Sequence, residues 1–149
     1  MRHPATLVAV LLAAAATLGV HALRSDAAVA QQTPAETKRL AIVWTSADPD
    51  VAHRMTLMYA NGARTRGWFH EVRLVIWGPS QRLVVADKDI RAYLDRLIEA
   101  GVVVQACLAC ADSYGIADEL RTIPGVEVKY MGEPLSDFLK SDEWKVISF

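Results

Sequence analysis

The sequence predicts an α/β domain in which a mostly parallel, five-stranded sheet is covered by helices on both faces. Two observations predict this class. Five short apolar runs alternate with segments that have helical spacing, which is the order of right-handed β–α–β crossovers. Most of these runs are continuous and rich in β-branched residues, as strands buried on both faces are. Hydrophobic residues make up 52% of the 149-residue chain, which excludes a disordered protein.

The first strand and helix have clear boundary signals. Residues 40–44 form the first apolar run. Asp48 can cap the helix that follows, Pro49 suits its first turn, and Gly67 can end it. Helical spacing relates the residues between these signals, namely Val51, Met55, Met58 and Gly62.

The second unit repeats this order. Residues 72–77 are the second strand candidate, and the Gly-Pro-Ser sequence after them predicts a loop that extends to Asp87. Asp87 is a suitable N-cap for a helix that ends at Gly101. The apolar stripe of this helix consists of Ile90, Leu94, Leu97 and Ile98.

The rest of the chain supplies three more strand candidates. Residues 102–106 predict the third strand, and a helix is expected at residues 109–123 with Gly115 inside it. Pro124 and Gly125 stop that helix. The remaining elements are a strand at residues 126–130, a short helix at 134–140 and a last strand at 144–149.

The N-terminus has the order of a secretory signal peptide. A positively charged start at residues 1–3 precedes an uncharged apolar run at residues 5–20, and Ala28-Val29-Ala30 fits a cleavage site. The run is shorter than the ~20 apolar residues of a stable membrane span. No later apolar run is long enough to span a bilayer.

These signals predict the domain organisation. We expect a signal peptide at residues 1–30, a flexible lead-in at residues 31–38 and one domain at residues 39–149. Cleavage after Ala30 would place the protein in the periplasm or outside the cell, and the alternative is a leader kept as an anchor.

Composition argues against several classes of function. The chain has 16 basic and 17 acidic residues and no basic block, so nucleic acid is not an expected partner. No Gly-x-Gly-x-x-Gly follows the first strand and no Gly-Lys-Ser/Thr occurs, so a nucleotide cofactor is not expected. His53 and His70 lack the spacing of a zinc site with the two cysteines. We therefore expect no metal and no cofactor.

The candidate reactive groups are Cys107 and Cys110. They lie between the third strand and the next helix, at the sheet edge where ligands bind in folds of this class. A helix N-terminus favours the thiolate, and the i, i+3 spacing allows a reversible disulfide. The alternatives are two buried, inert thiols or a structural disulfide.

Residues at the other strand ends are candidates for a pocket that supports the thiols. Trp44 and Trp77 end adjacent apolar runs, either as core or interface aromatics or as a wall that shields the sulfur from water. The predicted supporting residues are Trp44, Ser46, Gly78, Pro79, Ser80 and Tyr114.

Four segments carry a family resemblance. They are Trp77-Gly78-Pro79-Ser80, Glu99-Ala100-Gly101-Val102, residues 106–116 and Met131-Gly132. Together they resemble the DsrE/DsrF-like sulfur-relay family, which includes the TusD and YchN types, over about residues 40–149. The resemblance implies a three-layer α/β/α domain with a five-stranded parallel sheet, trimers or hexamers, and persulfide transfer between proteins.

The resemblance also implies roles for the two cysteines. Cys107, which precedes Gly115 by eight residues, matches the cysteine that accepts sulfur in the DsrE and TusD types. Cys110 matches the second cysteine of members with a paired motif. The best-understood relay members are cytosolic, whereas this chain has the pattern of an exported protein. Tyr114 stands where many relatives have a basic residue, so a charge that could stabilise a thiolate is missing.

Three functions follow as expectations. The first is an exported, sulfurtransferase-like thiol protein that accepts sulfane sulfur on Cys107, with Cys110 resolving the persulfide or assisting transfer. The second is a thiol–disulfide oxidoreductase that uses the Cys-x-x-Cys pair. The third is a non-enzymatic, oligomeric binding module. The expected partners are sulfur donor and acceptor proteins or small sulfur compounds, with assembly into a homotrimer or homohexamer and no stable membrane span after leader cleavage.

Overall fold

The computed structural model describes residues 38–149, so the predicted leader and residues 31–37 of the lead-in lie outside the described part. No helix within that range is both long enough and apolar enough to cross a membrane. The elements in chain order are β1 (Arg39–Trp44), α1 (Pro49–Val51), a π-helical segment (Ala52–Thr56), α2 (Leu57–Thr65), β2 (Val72–Ile76), α3 (Ser80–Ala86), α4 (Lys88–Glu99), β3 (Val103–Cys107), α5 (Leu108–Tyr114), α6 (Ala117–Arg121), β4 (Val126–Lys129), α7 (Gly132–Lys140) and β5 (Trp144–Ser148).

The strands form one sheet in the order β4-β3-β2-β1-β5, and all neighbouring pairs are parallel. From β1 to β4 the chain steps towards one edge, and it then returns to place β5 on the other side of β1. Right-handed crossovers in opposite directions lie on opposite faces of a sheet, so this order puts helices on both faces. The predicted three-layer α/β/α class is confirmed, with a sheet that is entirely parallel.

The larger core lies on the face that packs against α2 to α6. Ile42 and Leu74 of the sheet are fully buried there together with Leu57 of α2 and Leu94 of α4. Each such side chain contributes roughly 2 kcal/mol by leaving water. This core therefore holds the sheet and its main helical layer together.

A smaller core lies on the opposite face of the sheet, under α7. Cys107 from β3 packs there with Met131 and Phe138. Phe138 lies against Trp144 with ring centroids 4.4 Å apart, and the Arg73 guanidinium lies 5.5 Å from the Phe138 ring and 5.2 Å from the Trp144 ring. In the described range α7 is the helix that covers this face, and one of the two cysteines is beneath it.

Residues expected to form a loop before Asp87 form the helix α3 instead. The side chains of Ser80 and Gln81 turn inwards and bond to backbone carbonyls, and Val84 joins the larger core. The Gly-Pro-Ser sequence by itself predicts a turn, and it does not show that these buried contacts stabilise a helix.

The helix expected at residues 109–123 is divided at Gly115. Gly115 has a φ of 67°, a left-handed conformation that glycine adopts without steric cost. The Ile116 N–H bonds to the Ala111 carbonyl at 3.0 Å, and the Gly115 N–H bonds to the Asp112 carbonyl at 3.1 Å. These two bonds form a Schellman motif, so the glycine ends α5 and leaves about two helical turns after Cys107 and about one after Cys110.

Candidate functional site

Two side chains at the start of α3 tie the carboxyl ends of three strands together. The Ser80 hydroxyl is fully buried, donates to the Trp44 carbonyl at 2.7 Å and accepts the Trp77 N–H at 3.2 Å. It thereby joins the end of β1 to the loop after β2. Ser80, predicted as a pocket residue, is a buried residue that connects two strand ends.

Gln81 makes the second connection. Its amide nitrogen donates to the Ile76 carbonyl at 3.1 Å and to the Cys107 carbonyl at 2.8 Å. The side chain is fully buried, so both bonds form away from water. The side chain of Gln81, from α3, thus connects the end of β2 to the backbone of Cys107.

Cys107 and Cys110 lie at neighbouring positions where α5 begins. Cys107 is the last residue of β3 and the N-cap of α5, and Cys110 is the third residue of that helix. Side chains at the N-cap and third helical positions approach each other, as they do in a capping box. Cys107 is only 2% exposed, whereas Cys110 is partly exposed, and both are free thiols.

The environment of Cys110 favours its neutral form. Burial raises the pKa of the Cys110 thiol, and a hydrogen bond with the neighbouring Cys107 raises it further. The backbone N–H of Gly78 acts in the opposite direction by stabilising the thiolate. Cys110 can therefore donate its S–H to the sulfur of Cys107 while its own sulfur accepts from Gly78.

The predicted pocket residues separate into two groups. Trp77 is partly buried in the same small core as the cysteines, and Gly78 contacts Cys110 through its backbone. Trp44, in contrast, is fully buried in the larger core on the other face of the sheet. The reason is strand alternation, because consecutive side chains of β1 point to opposite faces.

The other predicted residues lie around this edge in different roles. Ser46 accepts the Asp48 N–H at 3.1 Å and helps to start α1, and Pro79 is exposed. Tyr114, at the end of α5, has the Arg82 guanidinium 4.8 Å from its ring. A cation thus stands next to the tyrosine that replaces the basic residue of many relatives.

Two residues next to Cys107, Gln81 and Lys129, were not predicted from the sequence. Gln81 was hidden because its partners are backbone carbonyls of distant strands. Lys129 was hidden because only the register of β3 with β4 pairs it with Cys107. The alternating pattern of β4 shows that Lys129 and Glu127 share a face, but not which residue lies opposite them.

Metal binding finds no support in this part of the chain. Among residues 38–149, no three His, Cys, Asp or Glu side chains are grouped as a metal site requires. Sulfur chemistry on the two thiols is the reaction that this arrangement allows.

Comparisons with known proteins agree with the fold described above. The model of the DsrE/DsrF-like family matches residues 38–149. A conserved protein of unknown function, BT1422 from Bacteroides thetaiotaomicron, is 31% identical, with 75% of this chain and 95% of that chain covered and a TM-score of 0.70. The YchN protein from E. coli is 24% identical and shares the fold, with 75% and 99% covered and a TM-score of 0.61. No curated protein matches the chain.

Proposed function

We propose, from the premise that this chain belongs to the DsrE/DsrF-like family, that it carries sulfane sulfur as a persulfide on Cys107. Membership indicates a role in sulfur relay in general, in which members work with partner proteins. The observation that supports the finer proposal is the pair of free thiols at the carboxyl edge of the sheet. One thiol is buried under α7 and the other is partly exposed.

Loading of Cys107 is a transfer of one sulfur atom. The Cys107 thiolate attacks the terminal sulfur of a donor persulfide, a new S–S bond forms, and the donor leaves as a thiolate. The small core around Cys107, which includes Trp77 and Met131, limits contact of the product with water and oxidants. An acceptor thiolate then attacks the terminal sulfur, and Cys107 leaves as a thiolate.

Cys110 offers a second exit for the sulfur. Its thiolate attacks the inner sulfur of the Cys107 persulfide, a Cys107–Cys110 disulfide forms, and hydrosulfide leaves. No outside oxidant is needed, because the outer sulfur takes the electron pair. An external thiol must then reduce the disulfide, and the more exposed sulfur of Cys110 is the one it reaches first.

We propose that this chemistry takes place outside the cytoplasm, because the sequence predicts a leader at residues 1–30. We propose that the sulfur donors and acceptors are proteins or small sulfur compounds of the periplasm. The charge, apolar run and cleavage site of residues 1–30 support this location. Relay partners of cytosolic family members are then not the partners of this chain.

Intact mass spectrometry of protein recovered from the periplasmic fraction tests the proposal. We expect a chain that begins at Gln31 and that gains one sulfur atom after treatment with polysulfide, with the sulfur removed by reductant. Cys107→Ser should hold no stable sulfur, and Cys110→Ser should hold it longer than the parent does. If none of the three proteins gains sulfur, the persulfide proposal is wrong, and a full-length chain confined to the cytosol would refute the location.

Intact mass spectrometry also identifies the second candidate function, a thiol–disulfide oxidoreductase. Its support is the placement of two free thiols at the N-cap and third position of α5. In a sample given a disulfide substrate in place of polysulfide, that activity would appear as loss of two hydrogen atoms, because the Cys107–Cys110 disulfide forms while the substrate is reduced to two thiols.

A further inference from the structure

Lys129 lies beside Cys107 on the neighbouring strand. The β3–β4 register pairs the two residues directly. Paired residues of adjacent parallel strands lie about 5 Å apart and project to the same face of the sheet. The Lys129 side chain is 37% exposed, so its ammonium group reaches water while its stem lies along the sheet.

The carboxylate of Glu127 holds Lys129 on this face, and the amide of Gln105 holds that carboxylate. Its Nζ lies 2.9 Å from one carboxylate oxygen of Glu127, and the other oxygen accepts the Gln105 amide at 2.7 Å. Gln105 is 1% exposed and is two residues before Cys107, on the same face of β3. The Gln105 and Lys129 hydrogen bonds lower the pKa of Glu127, so this carboxylate stays charged and keeps the lysine nearby.

The other groups that face Cys107 do not supply a free cation. Cys110 of α5 contributes a thiol, and the small core contributes the apolar side chains of α7. Arg73 of β2 is held elsewhere on this face, 2.6 Å from Glu71 and over two aromatic rings. Among residues 38–149, Lys129 is therefore the cation that the strand register places next to the reactive sulfur.

We propose that Lys129 stabilises the anionic sulfur of Cys107 by turning from Glu127 to the thiolate or persulfide. A lysine has a flexible stem and three donors, so one ammonium group can serve either anion. Glu127 and Gln105 are positioning residues in this arrangement, because they act on the sulfur only through Lys129. The inference rests on the proposed function, in which Cys107 is the sulfur-carrying thiol.

The test is the rate of alkylation of Cys107 as a function of pH, measured in the Cys110→Ser background so that one thiol reports. Lys129→Met keeps the stem and removes the charge, and it should raise the pH midpoint by about one unit. Lys129→Arg should restore the midpoint. Glu127→Gln removes the competing anion and should lower the midpoint, and the fall should be smaller in Lys129→Met/Glu127→Gln, because the part of the effect that acts through the lysine is lost there.

Lys145→Met is the matched control, because Lys145 is an exposed residue of β5 at the opposite edge of the sheet. An unchanged midpoint in Lys129→Met, or an equal shift in Lys145→Met, would overturn the inference. If Lys129→Met fails to fold, the inference is tested with Glu127→Gln. A pH midpoint of Cys107 alkylation that does not fall in Glu127→Gln would overturn the inference. Alkylation uses no sulfur donor, so the effect of Lys129 on the Cys107 thiol can be measured even if the protein carries no persulfide.

Discussion

The two buried glutamines next to Cys107 differ in what their amides support. Gln81 donates to two buried carbonyls, at Ile76 and Cys107, whereas Gln105 donates to the exposed carboxylate of Glu127. Each glutamine also has a buried amide oxygen for which the described residues supply no partner. If the amide is removed, the two glutamines leave different acceptors unpaired. The carbonyls bonded to Gln81 stay buried without a donor, whereas the carboxylate bonded to Gln105 can bond to water.

This difference predicts unequal costs for the same substitution. Gln81→Met should lower the free energy of unfolding by roughly 2 kcal/mol, since two buried carbonyls lose a donor. Gln105→Met is the matched control and should cost less than about 1 kcal/mol, because water can solvate Glu127. Urea denaturation of both variants measures the two costs, and equal values would show that Gln81 does not tie the strands together.

At the scale of elements, α7 differs from the other helices because it covers the smaller core, which contains Cys107. The larger core is covered by several helices, so loss of one contact leaves others in place. The smaller core, with Cys107 in it, depends on α7 and on its contacts through Met131 and Phe138. Loosening of α7 is therefore the opening that would admit a sulfur donor to the buried thiol.

We expect α7 contacts to control the reactivity of Cys107. Phe138 is 6% exposed, and Phe138→Ala should destabilise the fold by about 3 kcal/mol and accelerate native-state alkylation of Cys107 several-fold. Leu139→Ala, in the same helix but 66% exposed, should change stability by no more than about 0.5 kcal/mol and leave alkylation unchanged. The rates are compared in the Cys110→Ser background, and equal acceleration by both variants would rule out the covering role.

Elements were more predictable from the sequence than the contacts between them. Each strand has a local pattern, either an apolar run or an alternation of apolar and polar residues, so all five were predicted, and the family resemblance is confirmed. The face on which Trp44 lies was not predictable, because it depends on which side of β1 receives β5. Gln81 and Lys129 depend in the same way on strand register, a relation between distant residues that no local pattern contains.

At the scale of the whole molecule, assembly remains a prediction. Trp68 is 49% exposed, whereas Phe69 and Trp144 are partly buried. Met55 and Met58, on the helical region after β1, are 47% and 57% exposed. Exposed apolar side chains of this size are typical of surfaces that pack against another chain.

We expect the mature protein to form a homotrimer or homohexamer in solution. Light scattering at micromolar concentration should give three or six times the mass of the chain. Trp68→Lys should shift the distribution towards smaller species if this side chain is in the interface. A parent protein that remains monomeric under these conditions would contradict the prediction.

The position of β5 in the sheet has a consequence for how the chain is made. The Phe149 N–H bonds to the Val43 carbonyl at 3.0 Å, and the Thr45 N–H bonds to the Phe149 carbonyl at 2.8 Å. Thr45 and Phe149 are 104 positions apart, so β1 acquires its second neighbour only after residues 144–149 have left the ribosome. Such non-local pairing closes late and slowly. This delay suits the proposed export, since a polypeptide whose sheet is still open can be threaded through a translocation channel before it folds.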